Sequence, residues 1–212
     1  MRPNPYVQAM TGSDGPQSGD VVEPSPSFVA QANVGSSEAS FEEPWPDCWA
    51  AAADRLDWHH GYDTVLESAD GRPPFRWFAG GELNACANCL DRHLDERGDE
   101  TAIVWEGHLD EHVTYTYREL FDEVNAVAAG LRDLGVDADD VVTTYLPSIP
   151  EAVAVMLACA RIGAVHNVVF AGFSADALAT RMERAGSRYL VTCDGYYRRG
   201  EAVNQRRRAD NA

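Results

Sequence analysis

The sequence predicts an α/β fold in which a mostly parallel sheet is covered by helices and preceded by a flexible tail. Three observations lead to this prediction. Apolar runs typical of buried strands alternate along the chain with amphipathic stretches of helical period. The amphipathic stretches begin and end at residues that commonly cap helices. Residues 1–44 are acidic, rich in Ser, Gly, Pro and Glu, and without periodicity, which is typical of a disordered tail.

Residues 45–81 are expected to form an irregular strap, because aromatic side chains are dense there among Pro and Gly. Ring burial is expected to hold this strap on the domain that follows. The predicted organisation is therefore a tail at 1–44, an aromatic-rich strap at 45–81 and an incomplete α/β domain at 82–212. The aromatic residues are Trp45, Trp49, Trp58, Tyr62, Phe75, Trp77 and Phe78.

The α/β domain is predicted to begin with a helix over 82–96 and a short strand over 101–105. Thr116 and Glu119 have the spacing of a capping box, which predicts that residues 113–116 lead into a second helix. An apolar stripe at helical spacing supports this helix and ends before a glycine. The stripe consists of Leu120, Val124, Val127, Leu131 and Leu134.

The alternation continues to residue 192. Pro150 suits the first turn of a helix, and Ser174 suits an N-cap. Strands are predicted over 141–146, 165–170 and 188–192, and helices over 150–162 and 175–185.

The charge of the chain excludes several functions. There are 34 acidic residues against 17 arginines and no lysine, for a formal charge of -17. Without lysine, the chain contains neither a Walker A phosphate loop nor a Schiff-base lysine. The acidic surface argues against nucleic acid or an anionic membrane as a partner. We interpret it as adaptation to a halophile's salty cytoplasm. An acidic mesophilic protein is the alternative, and melting that does not depend on salt would favour it.

The five cysteines are too few for a secreted disulfide framework in a chain of 212 residues. The N-terminus has no apolar export segment, and the most apolar stretch, 152–173, is interrupted by polar residues. We therefore expect a soluble cytoplasmic protein, and the sequence does not indicate its oligomeric state.

Cys86, Cys89 and His93 have the spacing of one face of the first predicted helix. A structural zinc site usually needs a second pair of ligands, which this chain lacks. We interpret the cysteines as small residues of a buried stripe, and we predict no metal site. The other paired histidines are interpreted as ordinary surface or packing residues: His59, His60, His108 and His112.

Positive charge is concentrated at the end of the chain. Residues 181–212 contain eight arginines and four acidic residues, whereas the first 180 residues have a net charge of about -21. The forked guanidinium donates two parallel hydrogen bonds to a phosphate, so Arg198 and Arg199 are candidate anion ligands. For 206–208, a solvated helix end is an equally good interpretation.

Residues 170–174 lie where a predicted strand gives way to a helix, which is where ligands commonly bind in open α/β sheets. Gly172 allows a planar ring to approach the backbone, and Phe170 offers a face for stacking. The alternative is a tight turn with core aromatics.

Long segments of the chain resemble AMP-forming acetyl-CoA synthetases, which are adenylate-forming ligases. The resemblance is collinear, covers roughly residues 45–199, and is carried by FRWFAGGELNACANCLDRHL, TAIVWEG, VTYTYREL and YLPSIPEAVAVMLACARIGAVHNVVFAGFSADALATRMERAGSRYLVTCDG. It implies the N-terminal part of the large domain of such a ligase.

The resemblance implies that acetate and ATP form acetyl-adenylate, and that the acetyl group then passes to the thiol of coenzyme A. It implies that Phe170, Ala171 and Gly172 contact the adenine end of coenzyme A and that Arg198 lies near its 3′-phosphate. Ala171 replaces the family's first glycine, and Glu201 stands where many relatives carry a second phosphate-facing arginine. Arg199 is a candidate to compensate. Propionate or another short acid is an alternative substrate.

The resemblance places the residues for ATP and Mg²⁺, including the adenylation lysine, outside this chain. Three functional hypotheses follow from that expectation. The chain is a fragment of a ligase that is inactive alone, a non-catalytic coenzyme A binding module, or one half of a split enzyme. For this chain itself no catalytic residue is predicted.

Overall fold

The computed structural model describes residues 24–32, 45–69 and 72–212. The chain divides into two compact units, Met1–Cys48 and Trp49–Ala212.

In the first unit, Pro26–Gln31 form an exposed helix of six residues, α1. The Ser25 hydroxyl caps it by accepting a hydrogen bond from the Phe28 N–H at 3.2 Å. The predicted tail over 1–44 therefore contains a short helix. Residues 1–23 and 33–44 of that tail lie outside the described residues.

The remaining elements alternate between strands and helices over most of their length. In chain order they are α2 (Cys48–Ala53), β1 (Thr64–Ala69), β2 (Arg72–Ala79), α3 (Ala85–Cys89), a 3₁₀ turn (Asp91–His93), α4 (Leu94–Arg97), β3 (Thr101–Glu106), β4 (His112–Thr116), α5 (Tyr117–Asp133), β5 (Val141–Tyr145), α6 (Pro150–Ile162), β6 (Val165–Val168), α7 (Ala175–Ala185), β7 (Tyr189–Thr192), β8 (Gly195–Arg198), β9 (Glu201–Asn204) and α8 (Gln205–Asp210).

The predicted α/β fold is confirmed, with a parallel sheet at its centre. Three strands pair in the order β6, β5, β7, so that Thr143 on β5 lies between Asn167 and Leu190. In the part of the chain that the structure describes, three antiparallel hairpins accompany this sheet: β1 with β2, β3 with β4, and β8 with β9. The expectation of an irregular strap over 45–81 was wrong, because α2 and the first hairpin lie within it.

The sheet has a packed helical layer on each face. Val142 belongs to the core under α5 and α6, whereas Tyr145 packs with Leu178 of α7. Since successive side chains of a strand point to opposite faces, these two residues mark the two sides of β5. The central strand is thus buried on both faces, and its sequence, VVTTY, is rich in the β-branched residues that suit a buried strand.

The capping box predicted at Thr116 is present. Its hydroxyl accepts from the Glu119 N–H at 3.2 Å, and its own N–H donates to the Glu119 carboxylate at 2.9 Å. That backbone donor holds the pKa of the Glu119 carboxyl below its usual range.

The single helix predicted over 82–96 was wrong. Asn84 caps α3, which ends after Cys89, and the chain continues through the 3₁₀ turn into α4. At the interruption, Leu90 leaves helical geometry with φ -123° and ψ -63°, and its side chain is buried in the core. Tertiary burial therefore overrides helical propensity here.

Candidate functional site

The chain forms a tight turn after β6, at the carboxyl end of the parallel sheet. The Phe173 N–H donates to the Phe170 carbonyl at 3.0 Å. Ser174 then caps α7 by accepting from the Ala177 N–H at 3.3 Å. Phe170 is 60% exposed, so the alternative in which this turn carries core aromatics is wrong for that ring.

Gly172 lies beneath two side chains that the sequence analysis singled out. A Cβ atom at this position would be 2.5 Å from Cε1 of Phe170 and 2.6 Å from Nη1 of Arg198. The Arg198 guanidinium carbon lies 5.6 Å from the centre of the Phe170 ring. The fold therefore brings together Phe170, Gly172 and Arg198, although 26 residues separate the arginine from the glycine in the sequence.

Ala171 is nearly fully buried, and its carbonyl oxygen is held by two donors. The Tyr196 hydroxyl donates to it at 3.2 Å and the Gln205 side-chain amide at 3.3 Å. The same amide reaches the Tyr145 carbonyl at 3.4 Å. Gln205 is completely buried, yet its Oε1 has no hydrogen-bond partner among the described residues.

Arg199 lies at the tip of the β8–β9 hairpin. Arg198 pairs with Glu201 across the two strands, which leaves Arg199 and Gly200 as the loop. Their φ values of 55° and 83° are those of a type I′ turn, in which both central residues have positive φ. Arg199 is exposed and close in sequence to Arg198, but the structure gives it no contact with the Phe170 ring.

A cavity of about 750 Å³ opens beside these residues. Four parts of the chain line it: the turn at Phe170, the β8–β9 hairpin with Arg198, the β3–β4 hairpin with Trp105 and His108, and the segment 147–149 that follows β5. The Trp105 indole N–H donates to the Ser148 carbonyl at 2.7 Å, which fixes that ring at the wall. Aromatic faces and one guanidinium group meet in this cavity.

On α8, Arg206 lies 4.0 Å from Asp194 and 3.4 Å from Asp210, so its positive charge is offset by carboxylates. These residues line a second cavity of about 430 Å³. Burial raises the pKa of the neighbouring Cys193 thiol, which makes it a poor nucleophile.

Two of the three residues, Cys86 and Cys89, lie in α3, whereas His93 lies in the 3₁₀ turn that follows the end of that helix. The three side chains therefore do not share one helical face. Cys86 is buried and burial raises the pKa of its thiol, but Cys89 is exposed, so the buried-stripe interpretation was wrong for Cys89. Within the described ranges there is no group of three or more His, Cys, Asp or Glu side chains placed to hold a metal ion. In those same ranges, no helix has the length and apolar character needed to span a membrane.

Sequence reasoning missed four residues of this site: Trp105, His108, Tyr196 and Gln205. His108 was interpreted as an ordinary residue, whereas it lines the cavity. No local pattern distinguishes these residues, because each contributes through a partner far away in the sequence.

Two family models match the chain. The model described as AMP-binding enzyme matches residues 90–212, and the one described as acetyl-coenzyme A synthetase N-terminus matches residues 38–89.

Curated relatives are similar over most of the chain. An acetyl-coenzyme A synthetase from Deinococcus radiodurans is 44% identical over 99% of this chain and 32% of its own length. One from Stutzerimonas stutzeri is 48% identical over 77% of this chain and 26% of its own length. The chain therefore spans about a third or less of these relatives.

A solved structure, the acetoacetyl-CoA synthetase from Streptomyces lividans, is similar in fold. The two share 28% sequence identity with a TM-score of 0.75, over 89% of this chain and 32% of that one.

Proposed function

Since this chain belongs to the AMP-binding enzyme family, we propose that it contributes the coenzyme A nucleotide site of a ligase that joins acetate to coenzyme A. In the proposed reaction, acetate and ATP yield acetyl-adenylate and pyrophosphate. The thiol of coenzyme A then attacks the acetyl carbonyl, loses its proton, and AMP leaves. Acetate is proposed because the similar curated relatives are named acetyl-coenzyme A synthetases.

One observation carries the proposal: Arg198 lies against Phe170, directly over the backbone of Gly172. The nucleotide end of coenzyme A combines a planar adenine ring with a 3′-phosphate. An exposed aromatic face suits the adenine ring, and a guanidinium fork suits the phosphate. Because Gly172 has no side chain, the Phe170 ring and the Arg198 guanidinium group can occupy the space beside its backbone.

The cavity supports the same assignment. Its volume of about 750 Å³ lies in the range of small-molecule sites, and its wall combines aromatic rings with a cationic group. Ala171 also lines the cavity, but it is only 3% exposed, so little of this residue faces the space. We propose that Arg199, at the exposed hairpin tip, supplies a second positive charge near the phosphate.

Calorimetric titration of the chain with coenzyme A and with 3′-dephospho-coenzyme A tests the proposal. Coenzyme A is expected to bind more tightly than the dephosphorylated compound. Arg198→Ala is expected to weaken coenzyme A binding by about tenfold to a hundredfold, as for loss of a charge-assisted hydrogen bond. The same substitution should change binding of the dephosphorylated compound much less.

Two variants provide controls. Arg198→Lys keeps the charge without the fork and should bind with intermediate affinity. Arg184→Ala removes an exposed arginine of α7 from the same basic segment and should bind like the unmodified chain. Equal affinity for both compounds, or no binding of either, would contradict the proposal.

A further inference from the structure

His108 connects two hairpins at the cavity. The Gly200 N–H, in the loop between β8 and β9, donates to Nε2 of His108 at 3.2 Å, across 92 residues of sequence. The imidazole is nearly parallel to the Tyr197 ring, with an interplanar angle of 10° and centroids 6.3 Å apart. Both His108 and Tyr197 line the cavity.

This hydrogen bond defines the protonation state of His108. A ring nitrogen accepts a hydrogen bond only through its lone pair, so Nε2 is unprotonated and the neutral ring carries its proton on Nδ1. Protonation of Nε2 would turn it into a donor that faces the Gly200 N–H. The contact is therefore present when His108 is neutral and lost when it is charged.

The loop that His108 holds is the one that carries the arginines. Arg199 and Gly200 both have positive φ, a geometry that L residues rarely adopt, so Arg199 needs support from its surroundings. A hydrogen bond at Gly200 fixes the loop next to Arg198 and limits the directions in which the two guanidinium groups point.

We propose that His108 is a positioning residue for the nucleotide site, which in its neutral form holds the Arg198–Gly200 loop in the geometry that receives a phosphate. This inference rests on the proposed function, because it concerns affinity for coenzyme A. The hydrogen bond fixes the direction of the pH dependence: the loop is held at alkaline pH and is released as the pH falls and the imidazole takes up a proton.

Charged groups on several elements face the same cavity. Glu106 and Glu111 belong to the hairpin of His108, while Asp194 and Arg198 belong to or precede β8. Because the phosphate of the ligand also titrates, the informative quantity is the difference between variants, and not one pH profile alone.

The experiment compares coenzyme A affinity by calorimetry at about pH 8 and about pH 5.5, an interval in which imidazole changes charge. His108→Gln supplies an amide oxygen that accepts without titrating and should bind within about twofold of the unmodified chain at the higher pH. His108→Phe keeps a ring beside Tyr197 but has no acceptor, and should bind about three- to tenfold more weakly. His112→Gln, an exposed histidine of the same hairpin, is the matched control.

On acidification, the unmodified chain and the His112→Gln variant should lose at least about threefold more affinity than His108→Gln does. Parallel pH profiles for the unmodified chain and His108→Gln would overturn the inference, as would full affinity in His108→Phe. The Gly200 amide resonance in ligand-free protein separates the two proposals. A Gly200 resonance that does not respond to pH overturns the hydrogen-bond switch alone, whereas absence of coenzyme A binding overturns the proposed function.

Discussion

The core under α5 and α6 and the surface around the cavity are held together by different interactions. In the core, apolar side chains such as Leu120 and Val124 are almost completely buried. At the cavity, Phe170 and Tyr197 remain 60% and 47% exposed, and hydrogen bonds to backbone groups fix their neighbours. Burial therefore accounts for stability in the core, whereas directed polar contacts arrange a surface that has to stay open.

The largest effect is expected in the core. Leu120→Ala removes a side chain that is 4% exposed and should lower the free energy of unfolding by about 2–5 kcal/mol. Leu134→Ala, at the end of the same helix and 71% exposed, should change it by less than about 0.5 kcal/mol. Urea unfolding measures both, and similar losses would show that burial does not distinguish these positions.

At the cavity, Gly172→Ala should affect binding more than stability. The added methyl group meets the mobile ends of Phe170 and Arg198, so these side chains move and coenzyme A binding should weaken by about tenfold, a change of about 1.4 kcal/mol. Gly130→Ala is the matched control, since open space surrounds that helical glycine. It should stabilise the fold by about 0.5–1 kcal/mol and leave affinity unchanged. Unchanged affinity in Gly172→Ala would refute the proposed geometry.

Gln205→Leu tests whether a buried polar group at the cavity contributes to stability. The substitution removes an unpaired acceptor, while the carbonyls of Ala171 and Tyr145 keep donors in Tyr196 and Thr192. Stability should therefore stay within about 1 kcal/mol of the unmodified chain or rise by that amount. Thermal unfolding measures this change, and a loss above about 2 kcal/mol would show that the amide is indispensable.

The smallest effect is expected at Glu201, which pairs with Arg198 across the hairpin. Because side chains directly opposite each other lie on the same face of a hairpin, we expect this carboxylate to compete with a phosphate for the guanidinium group. Glu201→Gln should tighten coenzyme A binding by about two- to threefold at low ionic strength, and salt should reduce that gain. A weaker affinity in this variant would mean that Glu201 orients Arg198 productively.

The same contrast explains how much of the fold could be predicted from the sequence. Capping signals are local, and the start of α5 at Thr116 was predicted from its neighbour Glu119 alone. The hairpins were missed even though their strands pair with near neighbours in the sequence, as Arg198 does with Glu201. The β8–β9 loop carries Arg199 where Asn or Gly usually marks such a turn.

Prediction of the site had a similar limit. Chemistry and the family resemblance singled out Phe170, Gly172 and Arg198, and the structure brings them together. Their role towards coenzyme A, and that of Ala171 and Arg199, stays a prediction. Tyr196 and Gln205 were not predicted, because their contribution is a hydrogen bond to a carbonyl, which every residue possesses.

The indole of Trp105 gives the cavity its own optical reporter. The chain has five tryptophans, and this one lines the cavity with its N–H bonded to the Ser148 carbonyl. Indole fluorescence responds to the polarity around the ring and to nearby planar quenchers such as adenine. In a chain whose other tryptophans are replaced by phenylalanine, occupation of the cavity would therefore change the wavelength and the intensity of the fluorescence emission.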